Sequence, residues 1–156
     1  MKNTPFRILT IYLFSILAIM SCDDDGNETK ISSHNSDDSH KAGQNCMNCH
    51  ESGGDGEGWF TVAGTVYNEA QTSILPNATI KLYSGSNATE DLIATIEVDS
   101  KGNFYTTKKI DFGTGLYTLV EGNTATKNMM ASITSGECNS CHGVSTDLKP
   151  GRFRRK

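Results

Sequence analysis

The stretch Ala78-Thr79-Ile80-Lys81-Leu82-Tyr83 alternates small or apolar residues with polar or amphipathic ones along its whole length. Successive side chains on a strand point to opposite faces, so Ala78, Ile80 and Leu82 share one face, which is expected to be buried. Working outward, Phe60-Thr61-Val62-Ala63-Gly64-Thr65-Val66-Tyr67 is rich in β-branched and aromatic residues, with Phe60, Val62 and Val66 in phase. Downstream, Leu92 to Val98 alternates again, with Leu92, Ala94, Ile96 and Val98 expected inward. Asp99-Ser100-Lys101-Gly102-Asn103 reads as a hairpin loop, followed by a strand at Phe104-Tyr105-Thr106-Thr107. Leu116 to Val120 makes a fifth strand and Asn128 to Ile133 a sixth; a helix over Thr124–Ala131, carrying Met129 and Met130, is the alternative for the last. Short strands broken by Gly, Asn and Ser turns predict an all-β chain: an antiparallel immunoglobulin-like sandwich of about six or seven strands. Its expected core includes Phe60, Val62, Ile80, Leu82, Ile96 and Phe104.

Three segments, Thr61 to Tyr67, Leu75-Pro76-Asn77 with the alternating run after it, and Asp99 to Phe104, resemble the carboxypeptidase-regulatory-like domain. The resemblance covers roughly residues 60–120. It implies a transthyretin-like sandwich and says almost nothing about function, because such modules serve as structural units.

Chemistry enters with the cysteines. The chain has five, and four of them form two pairs, each followed at once by histidine: Cys46-Met47-Asn48-Cys49-His50 and Cys138-Asn139-Ser140-Cys141-His142. Cys-x-x-Cys-His reads as covalent attachment of haem c. Two thiols separated by two residues reach the two vinyl groups on one edge of a porphyrin, and the next residue places an imidazole against the iron. The expectation is therefore two covalently bound haems, held by Cys46, Cys49, Cys138 and Cys141, with His50 and His142 as proximal iron ligands. Both motifs resemble those of c-type cytochromes. Disulfides within or across the pairs, or one zinc site built from four cysteines, would use the same sulfurs but leave the two histidines unexplained, and a redox dithiol needs a βαβ setting that the sequence lacks. Distal ligands are sought among Met129, Met130 and His40, since a thioether or an imidazole can fill the far face of the iron. Each has a plainer role, Met129 and Met130 as gap-filling residues at a core edge and His40 as a surface residue.

The ends of the chain are read as follows. Lys2 and Arg7 precede a 13-residue run, Ile8 to Met20, that ends at Ser21-Cys22. This is a secretion signal, too short to span a bilayer, which needs about 20 residues. Ile19-Met20-Ser21-Cys22 resembles a bacterial lipobox, and the following Asp23-Asp24-Asp25 resembles surface-exported lipoproteins, which implies a lipid on Cys22. The expected organisation is a signal at 1–21, a disordered tether at 22–45, the first motif with a Gly-rich loop at 46–58, the sandwich at 59–134, and the second motif with a basic tail at 135–156. The tether is expected because it holds almost no apolar residue to bury.

Without Lys2 and Arg7 the chain keeps 12 basic residues against 18 acidic, a net −6, which argues against nucleic-acid binding. No nucleophile elbow, Walker loop or HExxH motif occurs, so no small-molecule substrate is expected. The sequence thus reads as an exported, lipid-anchored dihaem electron carrier serving redox partner proteins of the cell envelope. The other readings are a disulfide-clamped surface module that binds a partner or carbohydrate, and a haem sensor or small peroxidase with an open iron. Placement of the two motifs depends on strand parity. Six antiparallel strands would bring Cys49 and Cys138 to one pole, and an odd count would set them at opposite poles, roughly 20 Å apart.

Overall fold

A computed structural model describes residues 26–143, so the signal segment, Cys22 and the basic tail from residue 144 lie outside the described residues. Seven strands occur in chain order: β1 (Val62–Thr65), β2 (Thr79–Tyr83), β3 (Leu92–Glu97), β4 (Asn103–Thr106), β5 (Tyr117–Glu121), β6 (Thr126–Asn128) and β7 (Gly136–Glu137). A single α-helical turn, α1 (Cys138–His142), follows β7, and a 3-10 turn spans Cys46–Asn48. The strands form two sheets, one ordered β4-β1-β7 and the other β3-β2-β5-β6. All pairings are antiparallel except β1 with β7, where Val62 faces Gly136 and Ala63 faces Glu137 in parallel register. The all-β sandwich expected from the alternation is the architecture observed.

The reason lies in the phase of the strands. In β2, Ile80 and Leu82 are buried while Thr79, Lys81 and Tyr83 are half-buried, as the alternation requires. They pack with Val62 and Val66 from the β1 segment, Ala78, Ile96, Val98, Phe104 and Leu116 to make one core between the sheets. A turn forms at Asp99, but it carries the chain from β3 in one sheet to β4 in the other and so does not close the expected hairpin. The Asp99 carboxylate accepts from the backbone N–H groups of Lys101 and Asn103, and Gly102 takes a positive φ of 77° beneath it. This is the local side-chain capping that makes Asp a turn residue.

Four further details differ from expectation. Leu92 is half-exposed rather than inward, because β3 is an edge strand and its register slips opposite Leu82/Tyr83. Phe60 is only half-buried and precedes β1, so it leaves the core and joins the site described below. No helix forms over Thr124–Ala131; β6 pairs there with β5 instead, and Ile133 makes an isolated bridge to Leu116.

The fourth difference is the largest. Residues 26–45, expected to be a disordered tether, lie against the sandwich. Lys30 and Thr107 exchange backbone and side-chain hydrogen bonds, and Ile31 bridges to Thr106 beside β4. Ser32 is 3% exposed; its hydroxyl donates to Glu97 O (2.6 Å) and accepts from Tyr105 N (3.0 Å). His34 reaches Ala78 O (3.0 Å), and Asn35 N donates to Asn77 Oδ1 (2.9 Å). Composition misses this because the segment docks through hydrogen bonds to strand backbone, not through apolar burial.

Replacing Ser32 with Ala leaves the Glu97 carbonyl and the Tyr105 N–H without this partner. The expected loss is about 1–3 kcal/mol of folding stability, read by chemical denaturation. An unchanged midpoint would mean that this segment is loose in solution.

Candidate functional site

The first motif lies between the docked segment and β1. Asn45 caps its 3-10 turn by accepting from Met47 N, and Met47 is buried beneath the turn. Cys46 is half-buried and Cys49 is exposed. His50 is fixed on both sides. Its carbonyl accepts from Phe60 N (2.9 Å), and its ring stacks on Phe60 with centroids 4.2 Å apart and planes 11° from parallel. Phe60 in turn stacks on Tyr105 at 4.8 Å.

The decisive geometry is at the His50 ring. Its Nδ1 lies 3.2 Å from Glu57 O and 3.1 Å from Gly58 O. Both partners are carbonyl acceptors, so Nδ1 carries the proton and donates. In a neutral imidazole this leaves Nε2 with a free lone pair, the arrangement by which proteins orient a metal-binding histidine. The Gly-rich loop makes the arrangement possible. A Cβ on Gly56 would sit 2.7 Å from both Cys49 O and His50 Nδ1, so only glycine lets the loop close over the ring. Lys30 pins the loop further through Glu57 (2.8 Å), and this pairing raises the Lys30 pKa and lowers that of Glu57.

Gly56→Ala is expected to push the loop off His50 and strip the imidazole of its carbonyl acceptors. With haem in place, the measurable result is a shift from low-spin toward high-spin iron in the optical spectrum. An unchanged spectrum would show that the loop does not hold the ring.

A cavity of about 830 Å³ opens beside these residues and contains Cys46, Cys49, His50, His40, Phe60, Phe104 and Tyr105 in its lining. Cofactor sites run from about 300 to 1,000 Å³ and are mostly apolar with a few placed polar groups. A porphyrin bonded through Cys46 and Cys49 would have aromatic surface beside it and an imidazole with a free nitrogen at hand, so the residues fit the group. His40 shares this cavity, its ring centroid 5.9 Å from that of His50.

The second motif forms α1, which packs on β1. A Cβ on Gly64 would touch both Cys138 Cβ (2.8 Å) and the Phe104 ring (2.7 Å), so Gly64 makes room for the motif beside the core. Burial pushes the Cys138 thiol up to about 12, with nearby Cys46 adding to the rise. Burial also raises the Cys46 thiol, so both first-position cysteines stay protonated. Cys141 is exposed, and burial lowers the pKa of His142, which favours the neutral form that binds metals.

The two motifs are neighbours. Asn139 Nδ2 donates to Gln44 O at 2.8 Å, joining residues one step after Cys138 and two steps before Cys46. The strands number seven and β7 runs parallel to β1, as an odd count gives, so the chain leaves β7 at the Thr65 end of β1, away from its entry at Val62. The motifs meet all the same, because the segment before Cys46 docks at that end too: Gly43 N donates to Thr65 Oγ1, and Thr65 N donates to Asn139 Oδ1.

The methionines fare differently. Met129 donates its backbone N–H to Thr118 O beside β6, and Met130 is 86% exposed. Neither lines the cavity around Cys46. Among the described residues no group of three or more His, Cys, Asp or Glu gathers as a metal site, so the four cysteines do not converge as a zinc ribbon requires. Sequence reasoning found the cysteines and histidines but missed Phe60, Tyr105 and the carbonyls of Glu57 and Gly58. Their only signal was the run of glycines after His50.

Comparison with protein-family models, with curated proteins and with solved structures finds no match to this chain.

Proposed function

We propose that the protein is a dihaem c-type cytochrome of the cell envelope that carries electrons and transforms no substrate. The observation that carries this reading is His50: an imidazole immediately after Cys-x-x-Cys, its Nδ1 proton given to two backbone carbonyls and its other nitrogen left for iron. Cys46 and Cys49 would hold one haem and Cys138 and Cys141 the other, with His50 and His142 as proximal ligands. When bound, haem supplies one-electron exchange at iron. The chain's part is to fix the imidazoles, shield one face with Phe60 and Tyr105, and hold the two attachment segments side by side through Asn139 and Gln44. Adjacent motifs favour passage of an electron between two haems of one chain.

The sandwich serves this reading as a rigid scaffold of the carboxypeptidase-regulatory-like kind. A lipid on Cys22 would tether the chain to the outer membrane or cell surface, where redox partner proteins of the envelope exchange electrons with it. Docking of residues 26–45 on the sandwich shortens the free reach from Cys22 and holds the haem module near the membrane.

The test is a dithionite-reduced absorption spectrum of protein produced with the cytochrome c maturation machinery. A sharp α-band that survives acid–acetone extraction supports covalent haem. A colourless protein without free thiols would replace this reading with the disulfide-clamped binding module.

A further inference from the structure

We propose that His40 is the sixth ligand of the iron on the first motif, and that Asn139 of the second motif positions it through Thr65 and Asn103. The inference rests on the haem reading above and deepens it. Two imidazoles gripping one iron from opposite faces hold their ring centroids about 6 Å apart, given metal–nitrogen bonds of about 2 Å. His40 and His50 stand at 5.9 Å, in one cavity. The His50 ring is anchored through Nδ1, whereas the ring nitrogens of His40 make no hydrogen bond among the described residues.

An exposed residue on an irregular segment would ordinarily be a poor ligand, because its backbone could drift. Here the segment is gripped from below. Asn103 Nδ2 donates to Ser39 Oγ (2.9 Å) and His40 O (3.3 Å). Its Oδ1 accepts from Thr65 Oγ1 at 2.7 Å. Thr65 Oγ1 accepts from Gly43 N (2.8 Å) and from Asn139 Nδ2 (3.0 Å). Asn139 Nδ2 gives its other proton to Gln44 O (2.8 Å), and its Oδ1 accepts from Thr65 N (3.0 Å).

Both amide protons of each asparagine and the threonine hydroxyl are thereby used. All three residues are buried, at 7% exposure for Thr65, 4% for Asn103 and 2% for Asn139. Buried polar networks that are fully satisfied fix a unique geometry, and partial ones do not. This one holds Ser39, His40, Gly43 and Gln44, the run that leads into Cys46. Asn139 belongs to the other motif, so formation of α1 on β1 completes the grip on His40. Thr65, Asn103 and Asn139 are positioning residues, and His40 is the ligand.

The experiment uses the full chain matured with haem and reads haem per chain, the spin state of the ferric protein, and carbon monoxide uptake by the reduced protein. His40→Ala should leave haem per chain unchanged and add one carbon-monoxide-binding haem per chain. Asn139→Asp keeps the acceptor for Thr65 N and loses both donors. It should speed carbon monoxide binding at that haem by at least about tenfold, although the substitution lies in the other motif. Thr65→Val should do the same and Thr65→Ser should restore the parent behaviour. This pair decides the matter should Asn139→Asp fail to fold.

Unchanged carbon monoxide uptake in His40→Ala, with haem content intact, overturns the ligand assignment. An effect of His40→Ala without any effect of Asn139→Asp or Thr65→Val overturns the positioning role. Absence of haem from the parent protein overturns the haem reading itself, which distinguishes the two failures.

Discussion

Replacing Cys46 and Cys49 together with serine is expected to lower covalent haem from two per chain to one, with the sandwich still folded. If haem is attached as proposed, the four sulfurs divide by motif, each pair with two intervening residues reaching one porphyrin edge. The remaining haem should stay on Cys138 and Cys141. Serine is close to cysteine in size, and Cys49 is exposed while Cys46 is half-buried, so the substitution removes little packing. The measurement is the pyridine haemochrome content per mole of protein, with far-ultraviolet circular dichroism as the control for folding. Unchanged haem content would show that these sulfurs carry no macrocycle.

The second large effect is structural. Leu82 is fully buried in β2, which lies between β3 and β5 and contributes to the core between the sheets. Leu82→Ala removes three carbons from a site that neighbouring strands prevent from collapsing. The expected cost is about 3–5 kcal/mol, the upper part of the range for buried leucine. For a domain of this size that lowers Tm by more than about 10 °C in thermal denaturation. A loss under about 1 kcal/mol would mean that the two sheets do not close on Leu82 as described. The side chain does not line the cavity around Cys46, so folded Leu82→Ala should take up haem like the parent.

What could be read in the sequence followed from side-chain periodicity. The alternation at Ala78 to Tyr83 placed Ile80 and Leu82 in the core, and the Asp-Ser-Lys-Gly-Asn run predicted the turn before β4, though not that this turn crosses from one sheet to the other. Errors arose where a tertiary partner decided the outcome. Phe60 has the phase of a core residue but stacks on His50, a partner that periodicity along one strand cannot reveal. Residues 26–45 carry too little apolar surface to predict order, yet Ser32, His34 and Asn35 find backbone and side-chain partners on the sandwich. Counting strands could not place the motifs because it takes the first motif to lie where β1 begins, whereas the segment before Cys46 docks at the far end of β1, where Gly43 N donates to Thr65 Oγ1 beside Asn139.

The candidate site divides the same way. Cys-x-x-Cys-His is a local pattern, so both motifs could be named from sequence. The network of Thr65, Asn103 and Asn139 is assembled from β1, β4 and α1, and nothing in the local sequence of any of the three marks it. His40 stood out in sequence only as one of the few remaining histidines. Its place opposite His50 depends on the docking of a segment that composition assigned to disorder.

The most direct test of the account is the intact mass of the full-length protein, matured outside the cytoplasm with the haem-attachment machinery. The proposal predicts a polypeptide heavier by two haems, which stay bound under denaturing conditions. A mass that accounts for peptide and lipid alone would contradict it and leave only the β-sandwich standing.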